Sequence, residues 1–87
     1  MLQDVKNWIL FHSDYEVKIN QNNFTDSLVV DIETEKQIAR FTVWDDKSFV
    51  LEIMDIDTEK YIINERRKSS ETKEIIEAFK EFSALLN

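Results

Sequence analysis

Glycine, proline and cysteine are all absent from the 87 residues of this chain. Each absence removes chemistry. Without cysteine there are no disulfides and no thiolate metal sites. Without glycine there is no P-loop, no dinucleotide fingerprint and no EF-hand loop, because each needs glycine where backbone meets ligand or turns sharply. Any turn that requires positive φ must be built on Asn, Asp or Lys at a steric cost, and Asn and Asp bear that cost best. The one histidine, His12, falls at a helix end beside Trp8 and Phe11 and has no thiol to activate. Long apolar runs are missing too: nothing approaches the roughly 18 residues of a membrane helix. The start, Met1-Leu2-Gln3-Asp4-Val5-Lys6, lacks the basic and apolar regions of a leader. The expectation is a cytoplasmic protein that needs no metal and no cofactor.

What is present is acid, and it is concentrated. Between Asp26 and Glu59 lie ten acids (Asp26, Asp31, Glu33, Glu35, Asp45, Asp46, Glu52, Asp55, Asp57, Glu59) and three bases (Lys36, Arg40, Lys47). That segment accounts for the whole formal charge of −7, the rest of the chain being neutral. Such a field suits a basic partner and repels nucleic acid and anionic membrane. With 43% apolar and 33% charged residues the chain is globular. Residues 1–87 make one domain that buries about 64% of its unfolded surface, enough for a core but not for a roomy enclosed active site.

Periodicity places the elements. Leu2, Val5, Trp8, Ile9 and His12 recur at helical spacing over Leu2 to His12. Five strands follow: Tyr15 to Asn20, Ser27 to Glu33, Gln37 to Trp44, Phe49 to Ile56 and Lys60 to Asn64. The links between them are short and polar, so consecutive strands are antiparallel neighbours and the sheet is a meander. The run Glu65-Arg66-Arg67-Lys68 reads as a solvated loop. From Ser69 the period returns to 3.6, with Ser69 or Ser70 as cap and Ile75, Ile76, Phe79, Phe82, Leu85 and Leu86 as the apolar stripe. The expected fold is α+β: an antiparallel meander of four to five strands with an N-terminal and a C-terminal helix on one face. Its core is Leu28, Val30, Ile32, Phe41, Val43, Leu51, Ile53, Ile75, Phe79 and Phe82.

The opposite sheet face is the candidate site. Alternation puts Arg40, Thr42 and Trp44 of the third strand beside Val50, Glu52 and Met54 of the fourth. Aromatic, Met and Arg side chains on a half-exposed plate have the composition of a protein interface. Rim packing of Trp44 over the sheet edge is the plainer alternative. Asp45 and Asp46, in the turn that follows, are too open to water for acid–base catalysis and stand as a solvated turn or as partner contacts. The candidate partner-binding residues are therefore Arg40, Thr42, Trp44, Asp45, Asp46, Glu52 and Met54, with no catalytic and no metal-binding residue.

The strand Arg40-Phe41-Thr42-Val43-Trp44, its acidic turn, the strand Leu51-Glu52-Ile53-Met54-Asp55 and Thr58 resemble the TriTu type of immunity protein from bacterial polymorphic toxin systems. The likeness covers residues 25 to 87. It implies a small single-domain protein that binds and neutralises a cognate toxin. The family pattern has glycine in the turn after the tryptophan and again after the threonine, where this chain has Lys47-Ser48 and Glu59.

Several functions compete. An inhibitor that occludes a toxic enzyme, using acids against a site built positive for phosphate, is favoured. A phage-type acidic nucleic-acid mimic that blocks a defence nuclease uses the same charge argument. A homodimer through the exposed plates or a free strand edge is a structural alternative. A small enzyme has no supporting cluster.

Overall fold

In the computed structural model, which describes residues 1–86, the alternating middle of the chain forms one sheet of five antiparallel strands in sequential order. Residue 87, included in the single-domain expectation, lies outside the described residues. The elements run α1 (Leu2–His12), β1 (Lys18–Asn20), β2 (Ser27–Glu33), β3 (Gln37–Trp44), β4 (Ser48–Asp55), β5 (Lys60–Lys68) and α2 (Thr72–Ala84). The α+β meander expected from the sequence is the fold observed.

Alternation sorts the sheet into two faces. Inward-facing Leu28, Val30, Phe41, Val43, Leu51 and Ile53 are fully buried, and the helices cover them with Val5, Ile9, Ile75 and Phe82. All ten expected core residues are buried. Phe41 holds the centre: the Phe79 ring meets it edge-on at 5.2 Å and the Phe82 ring lies tilted against it at 5.4 Å. Trp8 of α1 joins the cluster through Phe79, at 6.3 Å between centroids. Aromatic contacts of this kind add about 0.5–1.5 kcal/mol each beyond burial. They pin both helices to one side, and the other side of the sheet stays uncovered.

Four elements differ from expectation in their bounds, the least of them β4, which runs Ser48–Asp55 rather than Phe49 to Ile56. β1 is Lys18–Asn20 rather than Tyr15 to Asn20, because the preceding stretch crosses from α1 to the sheet with the Tyr15 ring on Phe79, 6.1 Å between centroids. α2 starts at Thr72, one turn after the serines. The Ser69 hydroxyl accepts from the Glu71 N–H at 3.2 Å and lies 2.9 Å from the Glu74 carboxylate, so it orders the entry without being the cap residue. The run Glu65 to Lys68 is strand, not loop, and pairs with the first half of β4, Ser48 to Leu51.

β5 also carries a bulge. Ile53 is opposite Ile63 and Met54 is opposite Tyr61, which leaves Ile62 as the extra residue. A bulge re-aims side chains. Here it turns Tyr61 to the uncovered face beside Met54.

The turns solve the glycine shortage at two places, Lys47 with φ 69° and Glu59 with φ 57°. Lys47 closes a three-residue hairpin loop in which its N–H donates to the Trp44 carbonyl at 3.0 Å, and it is the left-handed residue that leads into β4. Glu59 ends the β4–β5 loop with its N–H on the Asp55 carbonyl at 2.8 Å. The glutamate is a departure from the expectation that only Asn, Asp or Lys would fill such a position.

Candidate interaction surface

Side chains on the uncovered face follow the strand register. Asp31, Arg40, Glu52 and Asn64 form one cross-strand row. The Arg40 Nε donates to Asp31 Oδ1 at 2.6 Å, and a second guanidinium nitrogen lies 3.4 Å from Oδ2. This hydrogen bond, with the Asp31 charge behind it, raises the Arg40 pKa above its ordinary value. Both side chains are more than half exposed, so the pair contributes at most about 1 kcal/mol and serves mainly to fix the guanidinium.

The row divides the face into two halves of unlike chemistry. Toward the β3–β4 turn, Thr42 pairs with Val50, and the half-buried Trp44 lies under the Arg66 guanidinium, 5.2 Å from ring centre to its carbon. Lys18 and Lys68 flank that half. Toward the β4–β5 turn, Ile38, Met54 and Tyr61 lie side by side on β3, β4 and β5.

Five of the seven candidate residues, Arg40, Thr42, Trp44, Glu52 and Met54, share this face. Asp45 and Asp46 adjoin it, but their carboxylates hold local structure. Asp45 accepts from the Thr25 hydroxyl and from the Asp26 N–H, both at 3.0 Å, and so ties the β1–β2 loop to the β3–β4 turn. Asp46 Oδ1 accepts from the Ser48 hydroxyl at 2.6 Å and from the Ser48 N–H at 2.9 Å. Those two hydrogen bonds, the hydroxyl first, hold the Asp46 pKa below the usual carboxylate value.

Sequence reasoning missed the contribution of β5: Tyr61, Arg66 and Lys68 all belong to the face. Strict alternation through Asn64, Arg66 and Lys68 was the available signal, but no apolar residue marks it. The acids also spread further than a single field. Asp31, Glu33 and Glu52 stand on the face, Asp26, Asp45 and Asp46 gather at one end of the sheet, and Glu35, Asp55, Asp57 and Glu59 gather at the other. The two turns of that second end are joined, the Ile56 N–H donating to the Lys36 carbonyl at 2.9 Å.

A groove of about 780 Å3 between β5 and α2 is lined largely by charged side chains that pair with each other, among them Arg67 with Glu81 at 3.3 Å and Lys80 with Glu77 at 3.1 Å. His12 stacks on Trp8 at 4.0 Å and donates from Nδ1 to the Trp8 carbonyl at 2.8 Å, a contact internal to α1. Among the described residues no three His, Asp or Glu side chains are grouped to hold a metal ion, and no helix is long and apolar enough to cross a membrane.

No curated protein matches the chain significantly. The likeness first visible from residue 25 onward extends through α1 as well: the family model described as immunity protein TriTu matches residues 3–85, nearly the whole chain, and the chain belongs to that family.

Proposed function

We propose that this protein is a non-enzymatic inhibitor that binds a cognate toxin in the cytoplasm and neutralises it by occlusion through the uncovered face of its sheet. The observation that carries the reading is that face itself. In a member of an immunity family, Arg40, Met54 and Tyr61 stand on a broad sheet surface that neither helix covers. Such residues are the usual anchors of protein interfaces. The net charge of −7 favours a toxin with a basic surface, whose approach it would accelerate.

The nucleic-acid mimic is less well supported. It needs carboxylates in file, as along a phosphate backbone, whereas the acids on this face alternate with Arg40 and lie beside Arg66 and Lys68.

The test is co-expression with the enzyme encoded beside this gene. Protection of the host and recovery of a one-to-one complex are expected. If the wild-type chain neither protects nor binds that enzyme, the reading is wrong.

A further inference from the structure

We infer that the toxin docks on the half of the face bordering the β4–β5 turn, and that it presents there an apolar side chain from a surface rich in Lys and Arg. This rests on the proposed function and sharpens it to one site and one partner chemistry. Ile38 is 46% and Tyr61 56% exposed, with half-buried Met54 between them. The core has no use for them, since the sheet packs its helices from the other side. The bulge at Ile62 matters here, because regular alternation would have pointed Tyr61 toward the helices.

The three side chains, with Arg40 and Glu52, line a depression of about 160 Å3. Small-molecule sites run to about 300–1,000 Å3, so this hollow is the size of a seat for a side chain, not for a substrate. Its rim sets the sign of what enters. At this end of the sheet Glu33, Glu35, Asp55, Asp57 and Glu59 outnumber Lys36 and Lys60. An apolar seat framed by carboxylates is complementary to an apolar knob framed by bases.

The other half of the face meets neither requirement. Trp44 is already covered by a cation, and Lys18, Arg66 and Lys68 there offset Asp26, Asp45 and Asp46, so that half offers a basic partner no comparable excess of acid. A second copy of this chain fits the seat poorly, because each copy carries −7 and would bring its own acids to the rim.

The experiment measures binding of catalytically inactive toxin to wild type, Tyr61→Ala and Trp44→Ala, each first shown to be folded by its melting transition. Tyr61→Ala is expected to weaken binding about thirtyfold or more. Trp44→Ala is expected to change it less than about threefold, as for contacts outside a hot spot. Amide shift mapping on the wild-type complex gives an answer that no unfolded variant can spoil, with Ile38, Met54 and Tyr61 expected to move and the Trp44 indole to stay. If Trp44 responds more strongly than Tyr61 in either measurement, the inference is overturned and the inhibitor reading stands. If wild type does not bind the toxin, both fall. A stable homodimer in light scattering that Tyr61→Ala dissociates would assign the seat to a second copy and overturn the inference as well.

Discussion

The guanidinium of Arg66 on β5 reaches diagonally across β4 to lie 5.2 Å from the centre of the Trp44 ring on β3. The contact joins the last strand to the middle of the sheet. It also makes Trp44 part of the fold's own surface. Arg66→Ala should lower stability by about 0.5–1 kcal/mol, the usual worth of an exposed cation–π contact. For a domain of this size that is a fall of about 2–8 °C in melting temperature. Arg66→Lys should recover part of the loss. An unchanged melting temperature in the alanine variant would show that the two groups do not interact in solution.

Lys47 and Glu59 both sit in the left-handed region, at φ 69° and 57°. For a residue with a Cβ that region costs about 1–2 kcal/mol, while glycine carries an entropic penalty of about 0.5–1 kcal/mol. The difference favours glycine. Lys47→Gly and Glu59→Gly should each stabilise the protein by about 0.5–1 kcal/mol, read as a higher denaturant midpoint with an unchanged slope. Lys47→Gly should gain less, because the Lys47 Nζ also donates to the Ser70 carbonyl at 3.1 Å. Destabilisation by Glu59→Gly would mean that the turn is not strained.

Much of this fold was legible in the sequence because burial wrote it there. Leu28, Val30 and Ile32, then Phe41 and Val43, then Leu51 and Ile53 alternate with polar residues. A one-residue slip would have exposed the whole set. The second half of β5 was not legible, since Glu65 to Lys68 pairs with β4 at a sheet edge with no buried residue to mark its period. The same gap hid Arg66 from the face predicted around Trp44, and the bulge at Ile62 hid Tyr61, which regular alternation would have turned toward the helices. Asp45 and Asp46 looked like solvent-facing charge because a turn sequence does not reveal that its carboxylates bind Thr25, Asp26 and Ser48.

The Asp46 carboxyl should make stability depend on pH in a defined direction. Its folded pKa is lowered by the Ser48 hydroxyl and N–H, so the folded chain holds the proton less tightly than the unfolded chain. The stabilisation is complete above the unfolded value of about 3.9 and disappears as pH falls through the lower folded value. Asp46→Ala should therefore unfold at lower denaturant than wild type near neutral pH, and the gap should close in acid. Asp46→Asn, which keeps an oxygen acceptor but cannot titrate, should show no such closing. A wild-type–alanine gap that stays constant through acid would mean that the ionised form is not what Ser48 favours.

Charge reversal should have different consequences at the two ends of the sheet. The Glu35 and Asp57 side chains make no hydrogen bond or ion pair among the described residues, whereas Asp45 holds Thr25 and Asp26. A Glu35→Lys, Asp57→Lys double variant should keep the melting temperature of wild type. With the inhibitor reading, it should slow association with a basic toxin and flatten the salt dependence of that rate, leaving dissociation nearly unchanged. Asp45→Lys should instead act through structure, since replacing an acceptor by an ammonium frees the β1–β2 loop. Its signature is faster hydrogen exchange at the Asp26 amide without the toxin, whatever it does to binding. If Asp45→Lys leaves that exchange untouched and slows association more than the double variant does, then steering belongs to the β3–β4 turn, and the β4–β5 end is not where the toxin first approaches.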